Sequence, residues 1–70
     1  MSELKFTFSQ SALPASLWPG QHFAFRGDIL QVKAVQSDRR RGTVKVHTME
    51  GMIVVLPAGQ AVKVYREKEA

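Results

Sequence analysis

Apolar and polar positions alternate with period two over most of this chain. Leu4-Lys5-Phe6-Thr7-Phe8-Ser9 is the first such stretch and predicts a half-buried strand. Ser11 to Gly20 breaks the pattern with Pro14, Pro19 and Gly20. It predicts a loop with one helical turn over Ala15-Ser16-Leu17, opened by Pro14 and ended by Pro19-Gly20. His22 to Arg26 and Ile29 to Val35 are strand candidates, joined by a two-residue turn at Gly27-Asp28. Gln36 to Gly42 is a polar loop, and Thr43 to Thr48 alternates again. Met49-Glu50-Gly51 has glycine where a three-residue hairpin loop needs a positive φ. Met52 to Leu56 is a continuous apolar run, broken by Pro57-Ala58-Gly59-Gln60. Val62 to Tyr65 is a last short strand, and Arg66 to Ala70 is a charged, fraying tail.

The turns fix registers, and the registers can be tested against the pattern. A Gly27-Asp28 tip sets Phe25 opposite Leu30 and Phe23 opposite Val32. Symmetric closure of the polar loop sets Val32 opposite Val46 and Ala34 opposite Val44. The Met49-Glu50-Gly51 tip sets Val46 opposite Val54 and Val44 opposite Leu56. Every pair is apolar, so three separately placed turns agree on one buried face. Val62 and Val64 then close the structure. The fold class that follows is all-β: a five-stranded SH3-like antiparallel barrel with an N-terminal strand or arm. Residues 1–20 form the strand and loop that pack on the barrel, 21–65 form the barrel, and 66–70 form the tail.

Gly20 to Tyr65 resembles the SH3-like small barrels of translation and transcription proteins. The segment from Pro19-Gly20-Gln21 through Gly27-Asp28 to Val35 is similar to the opening hairpin of the elongation factor P N-terminal domain. Gly42-Thr43-Val44-Lys45-Val46 resembles the glycine-then-valine strand of KOW modules. Leu56 to Val64 is similar to the short turn and closing strand of such barrels. The resemblance implies a fold, and one fold serves many functions. Arg39, Arg40 and Arg41 do not reproduce the lysine-bearing loop of elongation factor P, so no translation-factor role is carried over.

Seventy residues make one small domain. A chain of this size buries only ~60% of the surface its unfolded form exposes. There is no cysteine, and His22 and His47 are too far apart in sequence for a ligand spacing. Disulfides, a metal site and a cofactor are therefore not expected, and a partner chain is one way to add stability. No apolar stretch approaches the ~20 residues of a membrane span, so no membrane association is expected. The N-terminus has no secretory pattern, which makes the cytosol the default compartment.

Catalysis requires a nucleophile beside a base, or paired titratable groups in a cleft. Asp28, Asp38 and Glu50 all fall at turns, where they are ordinary solvated residues. No catalytic residue is assigned, and the chain is not expected to be an enzyme.

The net charge of +4 bears on partners. From Arg26 to Lys45 there are six basic residues, Arg26, Lys33, Arg39, Arg40, Arg41 and Lys45, against Asp28 and Asp38. The registers above set Lys33 opposite Lys45, with His22 in the same row. Opposed lysines repel, and a phosphate backbone across the hairpin relieves them. The leading function is thus a non-enzymatic accessory module that binds DNA or RNA phosphates. The alternative is a protein-interaction module or homo-oligomer. Ile53 and Val55 alternate out of phase with the core face, so they need a second cover. That cover is Leu4, Phe6 and Phe8 of the same chain, or its Leu13, Leu17 and Trp18, or a partner. Trp18 is either part of a binding surface or a plug over the open end of the barrel.

Overall fold

Alternation sends every second side chain to one side of a sheet, and the described residues build one core on that side. The computed structural model describes residues 4–69. Met1 to Glu3 of the N-terminal segment and Ala70 of the tail lie outside the described residues. Six strands form one antiparallel sheet: β1 (Leu4–Ala12), β2 (His22–Phe25), β3 (Asp28–Asp38), β4 (Thr43–Thr48), β5 (Ile53–Pro57) and β6 (Val62–Glu69). Their order is β1-β6-β2-β3-β4-β5. The chain is all-β, as its pattern predicts, with the N-terminal strand as the sixth member. The sheet is open: no ladder joins β5 to β1, β2 or β6.

A single sheet buries a face completely only by curling over it. Phe23, Val32, Val44 and Val46 are at most 1% exposed, and Leu30, Val54, Leu56 and Val64 complete the same face. The 3-10 turn Pro14–Ser16 plugs this concave side. Pro14 and Leu17 are buried there. Trp18 is 56% exposed, which sets aside the plug of its two alternatives. Leu17, one residue earlier, fills that place because the turn ends before Trp18 and aims the next side chain outward.

Two registers differ from expectation. The β2–β3 hairpin turns at Arg26-Gly27, so Phe23 faces Leu30 and Phe25 faces Asp28. Arg26 and Gly27 both have positive φ, 51° and 84°. A two-residue hairpin with both centres left-handed matches the twist of its strands, and glycine serves that conformation best at the second position. The pairing moves by two residues, so no side chain changes face.

The β3–β4 register carries a larger change. Val32 pairs with Thr48, but Ala34 pairs with His47, Val35 with Val46 and Gln36 with Lys45. One extra residue, Lys33, forms a β-bulge and inverts the faces beyond it. Val35 packs against the core and Ala34 is exposed. The predicted Val32–Val46 and Ala34–Val44 pairs and the Lys33–Lys45 opposition therefore do not form. Unbroken alternation would bury Ala34 and expose Val35, and the bulge lets the larger apolar side chain go inward.

The β4–β5 hairpin has the predicted register, with Val46 opposite Val54 and Val44 opposite Leu56. Bonds from Thr48 N–H to Met52 O and from Ala58 N–H to Gly42 O bracket this ladder. Antiparallel pairing then turns the N–H groups of Val54 and Leu56 to β4, and those of Ile53 and Val55 to the free edge. Pro57, which has no N–H, also faces that edge, a position where proline costs no ladder bond.

The predicted tail is strand as far as Glu69, because β1 lies beside it from Leu4↔Glu69 to Phe8↔Tyr65. β2 meets β6 only at His22↔Tyr65 and Phe23↔Val64. Beyond Tyr65 the two outer strands form an arm, and the molecule measures 46 × 23 × 19 Å.

Thr48 is the buried polar residue of the core. Its Oγ1 donates to Met52 O at 3.1 Å and accepts from Met52 N–H at 3.0 Å. Thr48→Val keeps the shape and leaves the Met52 N–H without that partner. It should lower stability by about 1–3 kcal/mol, and Thr48→Ser by less. Urea denaturation with an unchanged m value is the check.

Candidate nucleic-acid interface

The β3–β4 hairpin closes at Asp38↔Thr43, leaving Arg39 to Gly42 as a four-residue tip. Gly42 takes φ 65°, a conformation that costs glycine little. Asp38 organises the tip: its Oδ1 accepts the Arg41 N–H at 3.3 Å, and its Oδ2 lies 3.8 Å from Arg41 Nε. Both side chains of this pair are solvent-exposed, so it orients Arg41 and adds little stability. No such pair holds Arg39 or Arg40 among the described residues.

Lys45 projects from β4 between Gln36 and Val55. With the tip it lines a depression of about 380 Å³ that includes Arg39, Arg40, Arg41 and Thr43. Asp38 is its one carboxylate among the described residues. Val55 forms the rim and also lines a second groove of about 570 Å³, along the seam between β5 and the β2 and β6 strands. Arg26 and Lys63 are the charged residues of that groove, which holds no carboxylate among its described residues. The Arg26 guanidinium carbon lies 5.2 Å from the centre of the Phe25 ring, within cation–π range.

The predicted basic set thus divides. Arg39, Arg40, Arg41 and Lys45 come together. Arg26 joins Lys63 in the adjacent groove. Lys33 is exposed at the bulge and lines neither depression. Lys63 was missed by the sequence reading. Its signal was its place between Val62 and Val64, which face the core and send Lys63 to the opposite side.

The two surfaces that competed in the sequence are neighbours. Ile53 and Val55 are 58% and 55% exposed, and Val55 pairs directly with Lys45. The proposed internal cover is absent because β1 lies at the opposite edge of the sheet from β5. Trp18 lines neither of these depressions, and instead borders a third, smaller cleft beside Tyr65. Among the described residues no three His, Asp or Glu side chains gather as a metal site.

Comparison with known protein families, curated proteins and solved structures gave no match.

Arg26 is the non-glycine residue with positive φ among the described residues. A left-handed conformation costs a side-chain-bearing residue about 1–2 kcal/mol, and asparagine tolerates it better. Arg26→Asn should raise the urea midpoint by the equivalent of about 1 kcal/mol. A lowered midpoint would show that the Phe25 contact outweighs the backbone strain.

Proposed function

We propose that this chain is a non-enzymatic nucleic-acid-binding module that grips the phosphate backbone of DNA or RNA. The observation that supports it is the run of cations over the Val55 rim: Arg39, Arg40, Arg41 and Lys45 on one side, Arg26 and Lys63 on the other. Among the described residues Asp38 is the one carboxylate that lines either depression, and it is already engaged by Arg41. Guanidinium groups free of protein partners suit phosphate oxygens, which they meet in a bidentate fork. Such contacts fix position on a backbone and read no sequence. The strained turn at Arg26 supports the same reading, since backbone strain is kept where the side chain it presents is of use.

Fluorescence polarisation with short labelled DNA and RNA at several salt concentrations is the test. Affinity should fall steeply as salt rises. Replacing Arg39 and Arg40 together by alanine should weaken binding to every sequence alike. It should also reduce the slope of log K against log salt by about 1.4 on a single strand. Asp38→Asn should tighten binding, because it removes the opposing charge and releases Arg41. Absence of binding at low salt would end this reading.

A second reading rests on β5. Its free edge presents the Ile53 and Val55 N–H groups beside two exposed apolar side chains, an invitation to strand addition by a second copy. It predicts a concentration-dependent dimer in light scattering. Val55→Pro removes an edge N–H and no ladder bond to β4, so it should return the chain to monomer.

A further inference from the structure

The outer face of the β1, β6 and β2 strands is aromatic, and neither the basic hairpin nor the β5 stripe accounts for it. Phe23 and Val64 point into the core, so their neighbours His22 and Tyr65, opposite each other in the ladder, point outward. Phe8 pairs with Tyr65 and meets its ring edge-on, with centroids 6.0 Å apart at 80°. Phe6 lies over His22, with centroids 4.9 Å apart. Phe6 and Phe8 are exposed at 38% and 52%. Across a cleft of about 260 Å³ from Tyr65 and His22 stands Trp18, also exposed.

Exposure of this much aromatic surface in a small domain marks a contact surface. The cleft is shallow, and below the ~300–1,000 Å³ of small-molecule pockets. It suits a flat ring laid against a wall. Its lining carries amides that are half used: Gln31 Nε2 donates to Gly20 O at 3.3 Å, and Gln21 Oε1 accepts the Trp18 backbone N–H at 3.2 Å. The other end of each amide is the end these bonds do not use.

The aromatic face adjoins the cationic seam. Ala24 and Lys63 line the seam groove. They stand two residues from His22 and Tyr65 on the same strands, which places them on the same outer face. A strand of nucleic acid whose phosphates follow Arg26 and Lys63 is thereby brought to a surface that takes bases.

We propose that unpaired nucleobases stack on the Trp18, His22 and Tyr65 face, extended by Phe6 and Phe8, so that the ligand is single-stranded nucleic acid. This rests on the phosphate-binding reading above and adds the strand form it selects. Stacking requires a base whose π-face is free, which a duplex does not offer. It is tolerant of sequence, because every base has such a face.

Trp18 is the only tryptophan of the chain, so its fluorescence reports the site directly. The probes are oligothymidylate, oligouridylate, a duplex of equal length, and an abasic phosphodiester strand that keeps the charges and lacks the bases. Both single strands should quench Trp18 and bind roughly tenfold or more tighter than the abasic strand. The duplex should bind without quenching. Tyr65→Leu should lose most of the single-strand preference while leaving duplex affinity unchanged, and Tyr65→Phe should retain it. Unequal affinity for the thymidylate and uridylate strands, with quenching by both, would still support the stack and would assign DNA or RNA. Equal affinity for abasic and base-bearing strands, with Trp18 unquenched, would overturn the base site and leave the phosphate reading standing. No binding of any probe would remove both.

Discussion

The faces of this protein turn on one extra residue in β3. Val32 and Thr48 sit together in the core, and Val35 and Val46 sit together in the core. The spacing of three on one strand and two on the other cannot be met by a regular ladder. The bulge at Lys33 absorbs the difference. Beyond it the inner and outer positions of β3 are exchanged, which carries Gln36 to the outside beside Lys45. It also sets Asp38 opposite Thr43, from where its carboxylate reaches Arg41. The shape of the basic tip follows from a packing conflict several residues away.

A second constraint is the number of layers. The chain has one sheet and one short turn of helix, so only one face of the sheet can be enclosed. Pro14 and Leu17 complete that enclosure. Among the described residues nothing remains to cover the convex side. Val55, Ile53, Phe8 and Trp18 are exposed for this reason, and the long cationic side chains lie among them. The proposed ligand, a polyanion that carries flat bases, would meet this mixed surface on the same terms: attraction for the chain of phosphates, contact area for the rings.

Much of the fold was legible because a period of two is a strong signal when turns punctuate it. The Met49-Glu50-Gly51 hairpin was placed correctly, since Gly51 sits at φ 89° and Thr48 ties the loop to Met52. The Gly27-Asp28 turn was off by one position because two tips were compatible with the same faces, and only the positive φ of Arg26 and Gly27 separates them. The bulge escaped because alternation through Ala34 looked consistent, although Val32 and Val35 at a spacing of three were its trace. The extent of β6 was hidden by its charges. Arg66 and Glu67 read as tail until β1 is seen alongside, and that pairing joins opposite ends of the chain, beyond the reach of a local pattern. The same long-range pairing explains why the aromatic face was not foreseen. Phe8, Tyr65 and His22 are distant in sequence and adjacent only in the sheet.

The turn at Arg26 has a consequence for how this chain can vary. A hairpin tip is usually a neutral place, where substitutions drift toward whatever relaxes the backbone. Here the relaxed choice would remove a cation from the seam groove. Under the proposed phosphate-binding role, firmness of the scaffold and strength of the grip would be set against each other in one side chain. A descendant selected for heat resistance alone would be drawn to give up the arginine first, and one selected for its ligand would be held at a modest stability by the same residue.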